Sequence, residues 1–466
     1  MIREEEKEMN TQFKQYGNSV GFRMLKWLNP LLMTAVMALC WQTIYVPLYM
    51  SRLPAVDFAV MTAVYLLGLH CLQKIYHGQM VGFVRITELV YSQSLACVIC
   101  NVLLYLAGSL HCNHFLAVWP MLVAFAGQFS VSICWSMAAN WIYYANYAPP
   151  RTAIVYGSAE DLKRIESIQY FSEHFNVCKR ILMPSGDPAA LYAQLNDVQV
   201  VFAAGIDASL RSKITKFCVE RNLKAYFIPK LSEIIMSGAE YMSMFSEPVM
   251  KVQRAQTRTE YMAVKRVMDV VAAALGLVVL SPVMLITALA IRLHDGGPVF
   301  YRQNRLTQNG RVFSILKFRS MKVNAEKDGV ARLASAHDDR ITPVGKLIRA
   351  TRIDELPQLI NILVGDMSLI GPRPERPEIA AEYEKTLPEF ALRLQVKAGL
   401  SGMAQVYGRY NTDPYSKLQM DLMYINKLSL MTDLKLLFAT VKVLFMKEST
   451  AGVQEGQRTA ESKKSA

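Results

Sequence analysis

Four long apolar runs dominate the first third of the chain, at about residues 27–49, 55–76, 86–108 and 115–144. Each reaches the roughly 20 residues that a bilayer-crossing helix needs. Residues 1–20 before them are polar and read as an unstructured arm. Past Pro149-Pro150 the rhythm changes. Ala153–Tyr156 leads into Gly157 and a helical stretch, and Val198–Phe202 and Ala225–Ile228 are further strand-like segments around a helical Ala208–Glu220. That alternation predicts a small doubly wound, Rossmann-like α/β domain over residues 149–250. Gly157 lacks the rest of a dinucleotide fingerprint, so a folded spacer or oligomerisation module outweighs a nucleotide site. Residues 232–262 carry mixed turn signals and read as a linker.

A fifth apolar run follows Lys265-Arg266-Val-Met-Asp269 and extends to Ile291. It is long enough to span a membrane, yet Ser281-Pro282 sits near its middle, where proline removes a helix hydrogen bond. Both flanks are basic, and a spanning helix would put one of them outside, against the positive-inside rule. A helix-break-helix hairpin re-entering at 265–293 is favoured over a fifth span. Val299–Arg305 and Val312–Met321 then read as two strands joined through Asn309-Gly310, a strong hairpin signal. Asp339–Gly345 introduces a helix expected to carry Arg349 and Arg352. Gly399, Gly402 and Gly408 frame a loop with Gln405, Tyr407 and Arg409. Residues 432–447 read as an amphipathic helix whose Lys435, Lys442 and Lys447 suit a lipid surface or a partner helix. Residues 448–466 are a polar tail.

Composition agrees with a membrane protein. Hydrophobic residues make up 52% and charged ones only 19%, with a net charge of +13. That combination suggests a basic cytoplasmic face, not a nucleic-acid binder. Lys14, Arg23, Lys26, Lys74, Arg85 and Arg151 flank one side of the four runs, while the other side offers only Arg52, so both ends of the four-helix unit are expected in the cytoplasm. The start is too acidic and polar for a signal peptide. Cys97 and Cys100 have redox or zinc spacing, but inside an apolar run they read as packing.

The candidate chemistry lies in Arg349-Ala-Thr-Arg352-Ile-Asp354-Glu355-Leu-Pro357-Gln358, continuing to Gly371-Pro372-Arg373-Pro374. A carboxylate pair can serve as nucleophile, proton acceptor or hard-metal ligand. Arginines suit phosphate oxygens. Pro357 fits a helix first turn, predicting a helix from about Pro357 to Leu363 with the dyad at its positive end. Such a site suits a doubly anionic substrate with Mg2+. In isolation the same stretch is equally a surface Asp–Glu pair among solvated arginines. After residue 300 only His337 remains, which argues against a histidine base.

With those residues in view, the chain from about 262 to 447 resembles the bacterial sugar transferase domain of the monotopic phosphoglycosyl transferases. The resemblance runs through Lys265-Arg266, Asp269, Ser281-Pro282, Arg302-Gln303, Lys317-Phe-Arg319-Ser-Met, Arg352, Asp354-Glu355-Leu-Pro-Gln and Gly371-Pro-Arg-Pro. The preceding regions resemble, more loosely, the N-terminal half of the large undecaprenyl-phosphate sugar phosphotransferase branch. The resemblance implies a mixed α/β catalytic domain anchored by a re-entrant helix. It implies transfer of a sugar 1-phosphate, of glucose or galactose, from a UDP-sugar to undecaprenyl phosphate, with release of UMP. Asp354 would be the nucleophile, and Glu355 would share the Mg2+ and proton-handling shell with it. Arg302, Lys317, Arg319, Arg352, Gln358, Arg373, Gln405 and Arg409 become substrate-binding candidates, and Lys265, Arg266, Ser281 and Pro282 membrane-anchor candidates. Membrane lipids, a homo-oligomer and polysaccharide-assembly proteins are the further partners it implies, at the cytoplasmic face of a bacterial inner membrane. Ala398, Ser401 and Met403 depart from the usual proline, threonine and tryptophan, which puts that loop's sugar or nucleotide contact in doubt. A sugar-only glycosyltransferase would want an Asp-x-Asp motif, which is absent, and a channel or flippase would want more spanning helices with polar groups inside them.

Overall fold

The computed structural model describes residues 20–49, 55–146, 148–168, 171–183, 188–255, 258–323, 340–408 and 413–444. Most of the polar arm, the tail, His337, Lys447 and the candidate Arg409 lie outside the described residues. The chain divides into two compact units, Met1–Pro229 and Lys230–Ala466.

In the first unit four helices match the apolar runs: α1 (Val20–Cys40, extended through a π-helical turn to Tyr49), α2 (Ala55–Ile75), α3 (Ile86–His111) and α4 (Trp119–Asn146). All four are long and apolar enough to cross a membrane. Their interior is held by amides. Gln93 Oε1 accepts from Asn29 (3.1 Å) and Ser132 (2.7 Å), Gln73 donates to Asn29 (2.7 Å), and Asn101 donates to Gln128 (2.9 Å). In an apolar surround these groups satisfy one another, which fixes helix register at close range.

After the helices comes a parallel sheet in the order β2-β1-β3-β4: β1 (Arg151–Tyr156), β2 (Asn176–Leu182), β3 (Val200–Ala204) and β4 (Lys224–Phe227). Side chains alternate across it. Ala153, Val155, Val201 and Ala203 pack on one face with Leu210 and Ile214, while Ile154, Val200 and Phe202 pack on the other with Ile165 and Phe171. β2 is a strand that the sequence reading passed over. Its alternating Asn-Val-Cys-Lys-Arg-Ile-Leu lies at a sheet edge, half exposed, where an apolar run is not required.

The presumed linker is not one. Residues 231–237 form α5 (Leu231–Ser237), whose Leu231 and Ile234 pack with Leu418 and Leu422 of the second unit. Glu240–Met244 and Glu247–Lys251 form an exposed hairpin, β5 and β6. The apolar helix α6 (Thr259–Asp295) then runs without interruption through Ser281-Pro282, so these residues do not break it into two helices. The reason is local. Pro282 has no N–H for the Val278 carbonyl four residues back, and the Ser281 hydroxyl donates to that carbonyl instead, at 2.7 Å.

The core of the rest of this unit is built on α6. Strands β7 (Phe300–Leu306) and β8 (Val312–Phe318) pair antiparallel around Asn309-Gly310, as the turn signal predicts. Next come α7 (Pro343–Ala350), a 3-10 turn at Ile353–Glu355, α8 (Gln358–Val364) and β9 (Ser368–Ile370). β9 pairs parallel with β10 (Gly399–Ser401), and α9 (Met403–Tyr407), α10 (Pro414–Ile425) and α11 (Leu430–Leu444) close the unit. Gly371 and Gly399 cross so tightly that a Cβ on Gly399 would sit 2.1 Å from the Gly371 nitrogen. Ala273 on α6 joins Phe313, Ile315, Leu359, Ile362 and Ala398 in one cluster, and Ile291 joins Phe318 and Ile348 in another. Both halves of α6 therefore pack on the same unit.

Candidate active site

Arg352 is the pivot of the site. Helix α7 is capped by the Thr342 hydroxyl, which accepts from Gly345 N at 2.9 Å, and it ends at Ala350. Arg352 therefore stands past the helix expected to carry it, with φ +58°, a left-handed conformation that an arginine adopts rarely. That reversal starts the 3-10 turn bearing Asp354 and Glu355, directly before α8, whose N-cap is Pro357.

Three cations converge on one oxygen. Glu355 Oε1 is 2.8 Å from the Arg373 guanidinium, 3.2 Å from Lys317 Nζ and 3.9 Å from Arg352. The Glu355 side chain is 12% exposed. Burial alone would raise its pKa, but Arg373, Lys317 and Arg352 together hold it well below the usual carboxylate range. Lys317 is itself lowered by burial, with Glu355 opposing. Asp354 goes the other way: burial, then the neighbouring Glu355 charge, push it up to about 6 against Lys317, Arg349 and Arg352. Its Oδ1 is buried without a hydrogen-bond partner among the described residues. Two adjacent carboxyls thus have separate characters, one fixed as an anion inside a cationic cluster, the other poised and uncommitted.

Asn361 sets the distance between the strand and the dyad. From α8 its amide accepts from Leu316 N and donates to the Ser314 carbonyl, both at 2.9 Å, filling the β8 edge one residue before Lys317. The β7–β8 register pairs Tyr301 with Lys317, Gln303 with Ile315 and Arg305 with Phe313, which puts Gln303 and Arg305 on the Lys317 face. Arg302 points to the opposite face, with Phe318. Sequence reasoning chose Arg302 and passed over Arg305. The alternation of the strand was the available signal.

Other candidates are structural. Arg319 is buried and bidentate to Asp295, with 2.9 Å between NH1 and Oδ2, so it fastens the end of α6. Lys265 forms an ion pair of 2.8 Å with buried Asp433, which also accepts from Tyr261 and Tyr424. Arg266 donates to the Ile362 and Leu363 carbonyls at 2.6 and 2.7 Å, capping the last turn of α8. Lys265 and Arg266 thus each satisfy a partner within their own unit. Lys442 is likewise buried, not on a lipid-facing side. Gln358 is buried at the start of α8. Gln405 donates to the Leu400 carbonyl at 3.0 Å and closes the turn after β10. The departures at Ala398 and Ser401 are buried. Ala398 N–H, which a proline would lack, donates to Thr307 Oγ1 at 3.2 Å.

Residues 260–447 match the model of the bacterial sugar transferases. A UDP-glucose:undecaprenyl-phosphate glucose-1-phosphate transferase of Caulobacter vibrioides is 45% identical over 185 residues, covering 39% of this chain and 69% of that protein. The chain belongs to the bacterial sugar transferase family. A UDP-N-acetylgalactosamine-undecaprenyl-phosphate N-acetylgalactosaminephosphotransferase of Aeromonas hydrophila is 38% identical over 230 residues, 49% of this chain and 53% of the relative. A UDP-glucose:undecaprenyl-phosphate glucose-1-phosphate transferase of Escherichia coli strain K12 is 39% identical over 211 residues, 44% of each chain. This family member thus aligns with about half the length of the last two relatives. With five helices able to cross a membrane, it is a membrane protein of that family.

Proposed function

We propose that the protein moves a sugar 1-phosphate from a UDP-sugar to undecaprenyl phosphate, releasing UMP and starting a surface glycan. The observation that carries this reading is the uncommitted Asp354 Oδ1 beside a Glu355 already neutralised by cations. A carboxylate in that setting is a nucleophile ready for phosphorus. The Asp354 oxygen attacks the sugar-side phosphorus, an acyl-phosphate bond forms, and the phosphoanhydride bond breaks toward UMP. A phosphate oxygen of the acceptor then displaces Asp354. Arg352, Arg373 and Lys317 supply the positive surround that diphosphate cleavage needs, since such transfer is mostly positioning and electrostatics. The relatives named for UDP-glucose favour glucose as the sugar, with galactose next.

Mg2+ is the proposed cofactor. Among the described residues no three His, Cys, Asp or Glu side chains gather to hold an ion. Mg2+ is ordinarily held by one or two carboxylates plus substrate phosphates, and the orphaned Asp354 Oδ1 fits that pattern. Asp354 and Glu355 would hold it, where it would offset charge on the diphosphate. For topology, α6 is one unbroken helix, and the packing of both its halves on one unit supports an anchor that stays on the side of that unit, with the dyad at headgroup level on the cytoplasmic face of the inner membrane.

The test is donor-only turnover. Purified protein with UDP-glucose and Mg2+ should release about one equivalent of UMP before acceptor arrives, with sugar phosphate retained on the protein. Asp354→Asn should abolish both, and Glu355→Gln should cripple turnover. Label accepted by Asp354→Asn would replace this mechanism with direct transfer in a ternary complex.

A further inference from the structure

Behind the dyad lies a second cluster of charges that the mechanism does not use. Arg393 is 3% exposed and Asp421 1%, and they are 2.7 Å apart. From the same nitrogen Arg393 donates to the backbone carbonyl of Arg373 at 3.0 Å. Its guanidinium lies over the Phe390 ring, 4.8 Å from the centroid. On the neighbouring residue Arg305 donates to the Pro374 carbonyl at 3.1 Å. Glu375 stands between the two guanidiniums, 3.7 Å from Arg393 and 3.9 Å from Arg305. Buried Arg393 and half-buried Arg305 therefore grip successive carbonyls of the Gly-Pro-Arg-Pro turn, and the side chain that this turn presents is Arg373, 2.8 Å from Glu355.

We propose that Arg393, backed by Asp421, is a positioning residue that fixes the Arg373 backbone so that its guanidinium reaches Glu355 and the donor diphosphate. Burial makes the grip rigid. One guanidinium nitrogen meets both the Asp421 carboxylate and the Arg373 carbonyl, with the Phe390 ring beneath it, and that pair of contacts sets its orientation. Arg393 never touches the reacting atoms. Its effect passes wholly through Arg373.

This inference rests on the proposed transfer, and a double-mutant cycle tests it on the full-length protein. Arg373→Ala should lower kcat/KM for UDP-glucose, read as UMP release, by about 100-fold if it removes a charge-assisted phosphate contact. Arg393→Lys keeps the charge but cannot reach both partners, and Asp421→Asn keeps the shape without the charge; each should cost about 10-fold or more. In the Arg373→Ala background the same two changes should cost less than about twofold, because the group they position is gone. Thermal melting run in parallel guards against misfolding, and calorimetric binding of UDP-glucose to the Asp354→Asn protein gives a readout without turnover, which Arg393→Lys should weaken. Equal costs in both backgrounds, or unchanged donor affinity, would overturn the positioning role. Failure of the unaltered protein both to bind UDP-sugars and to release UMP would instead overturn the transfer reading itself.

Discussion

Replacing Asp433 by asparagine tests how the apolar helix is joined to the rest of the second unit. Asp433 is 5% exposed at its side chain and Lys265 12%, and the carboxylate accepts from Lys265 Nζ and Tyr261 on Oδ2, both at 2.8 Å, and from Tyr424 on Oδ1 at 2.7 Å. The amide keeps the shape but loses the charge, stranding the Lys265 ammonium and turning one acceptor into a donor that faces hydroxyls. Removing one member of a buried pair costs about 3–5 kcal/mol, since an uncompensated charge remains. At about 2–4 °C per kcal/mol for a unit of this size, the melting point should fall by roughly 6–20 °C. Detergent-solubilised protein followed by tryptophan-independent thermal aggregation or calorimetry gives the number. The companion variant, Lys265→Met with Asp433→Leu, removes both charges but leaves the Tyr261 and Tyr424 hydroxyls without that acceptor, and should recover only part of the loss. A single Asp433→Asn change that leaves the melting point within about 2 °C would refute the account, because no buried charge would then have lost its partner.

The carboxyl that attacks must be ionised, and Asp354 is raised to about 6, so activity should be full well above that value and fall roughly tenfold per unit once pH drops below it; a donor-only rate flat down to pH 5 would count against Asp354 as nucleophile. Asn361→Leu should cost about 2–4 kcal/mol by orphaning Leu316 N–H and the Ser314 carbonyl, and should slow UMP release as Lys317 loosens; an unchanged melting point would remove its bracing role. Ser281→Ala should strand the Val278 carbonyl at about 1–3 kcal/mol, seen as faster amide exchange in that turn. Cysteines at Glu260 and Gln308 should both resist a membrane-impermeant thiol reagent in intact cells, in a background without reactive native thiols, whereas labelling at 308 alone would mean a true fifth span.

Elements declared by a strong local signal were legible in the sequence. The four apolar runs, the Asn309-Gly310 hairpin and the Pro357 helix start each rest on chemistry within a few residues, and each stands close to its expected place. The dyad was legible because two carboxyls flanked by arginines and a helix start are informative without knowledge of the fold. What was not legible was partnership. Nothing near Arg319 announces Asp295, nothing near Lys265 announces Asp433, and basic residues beside an apolar run look alike whether they meet headgroups or buried acids. The amides of the four-helix unit were passed over for a related reason. They carry no charge, so composition hides them, and only the fold shows that Asn29, Gln73 and Gln93 meet. The helix through Ser281-Pro282 depended on a hydroxyl torsion that no pattern encodes.

Because α6 is clamped by Arg266 near one end and by Asp295 at the other, with packing contacts between, it has no freedom to swing beneath the unit it carries. If α6 is the membrane anchor proposed above, helix and dyad form a single lever, and a push on the apolar helix from a thicker bilayer would reach Asp354 and Glu355 as a tilt of the whole unit.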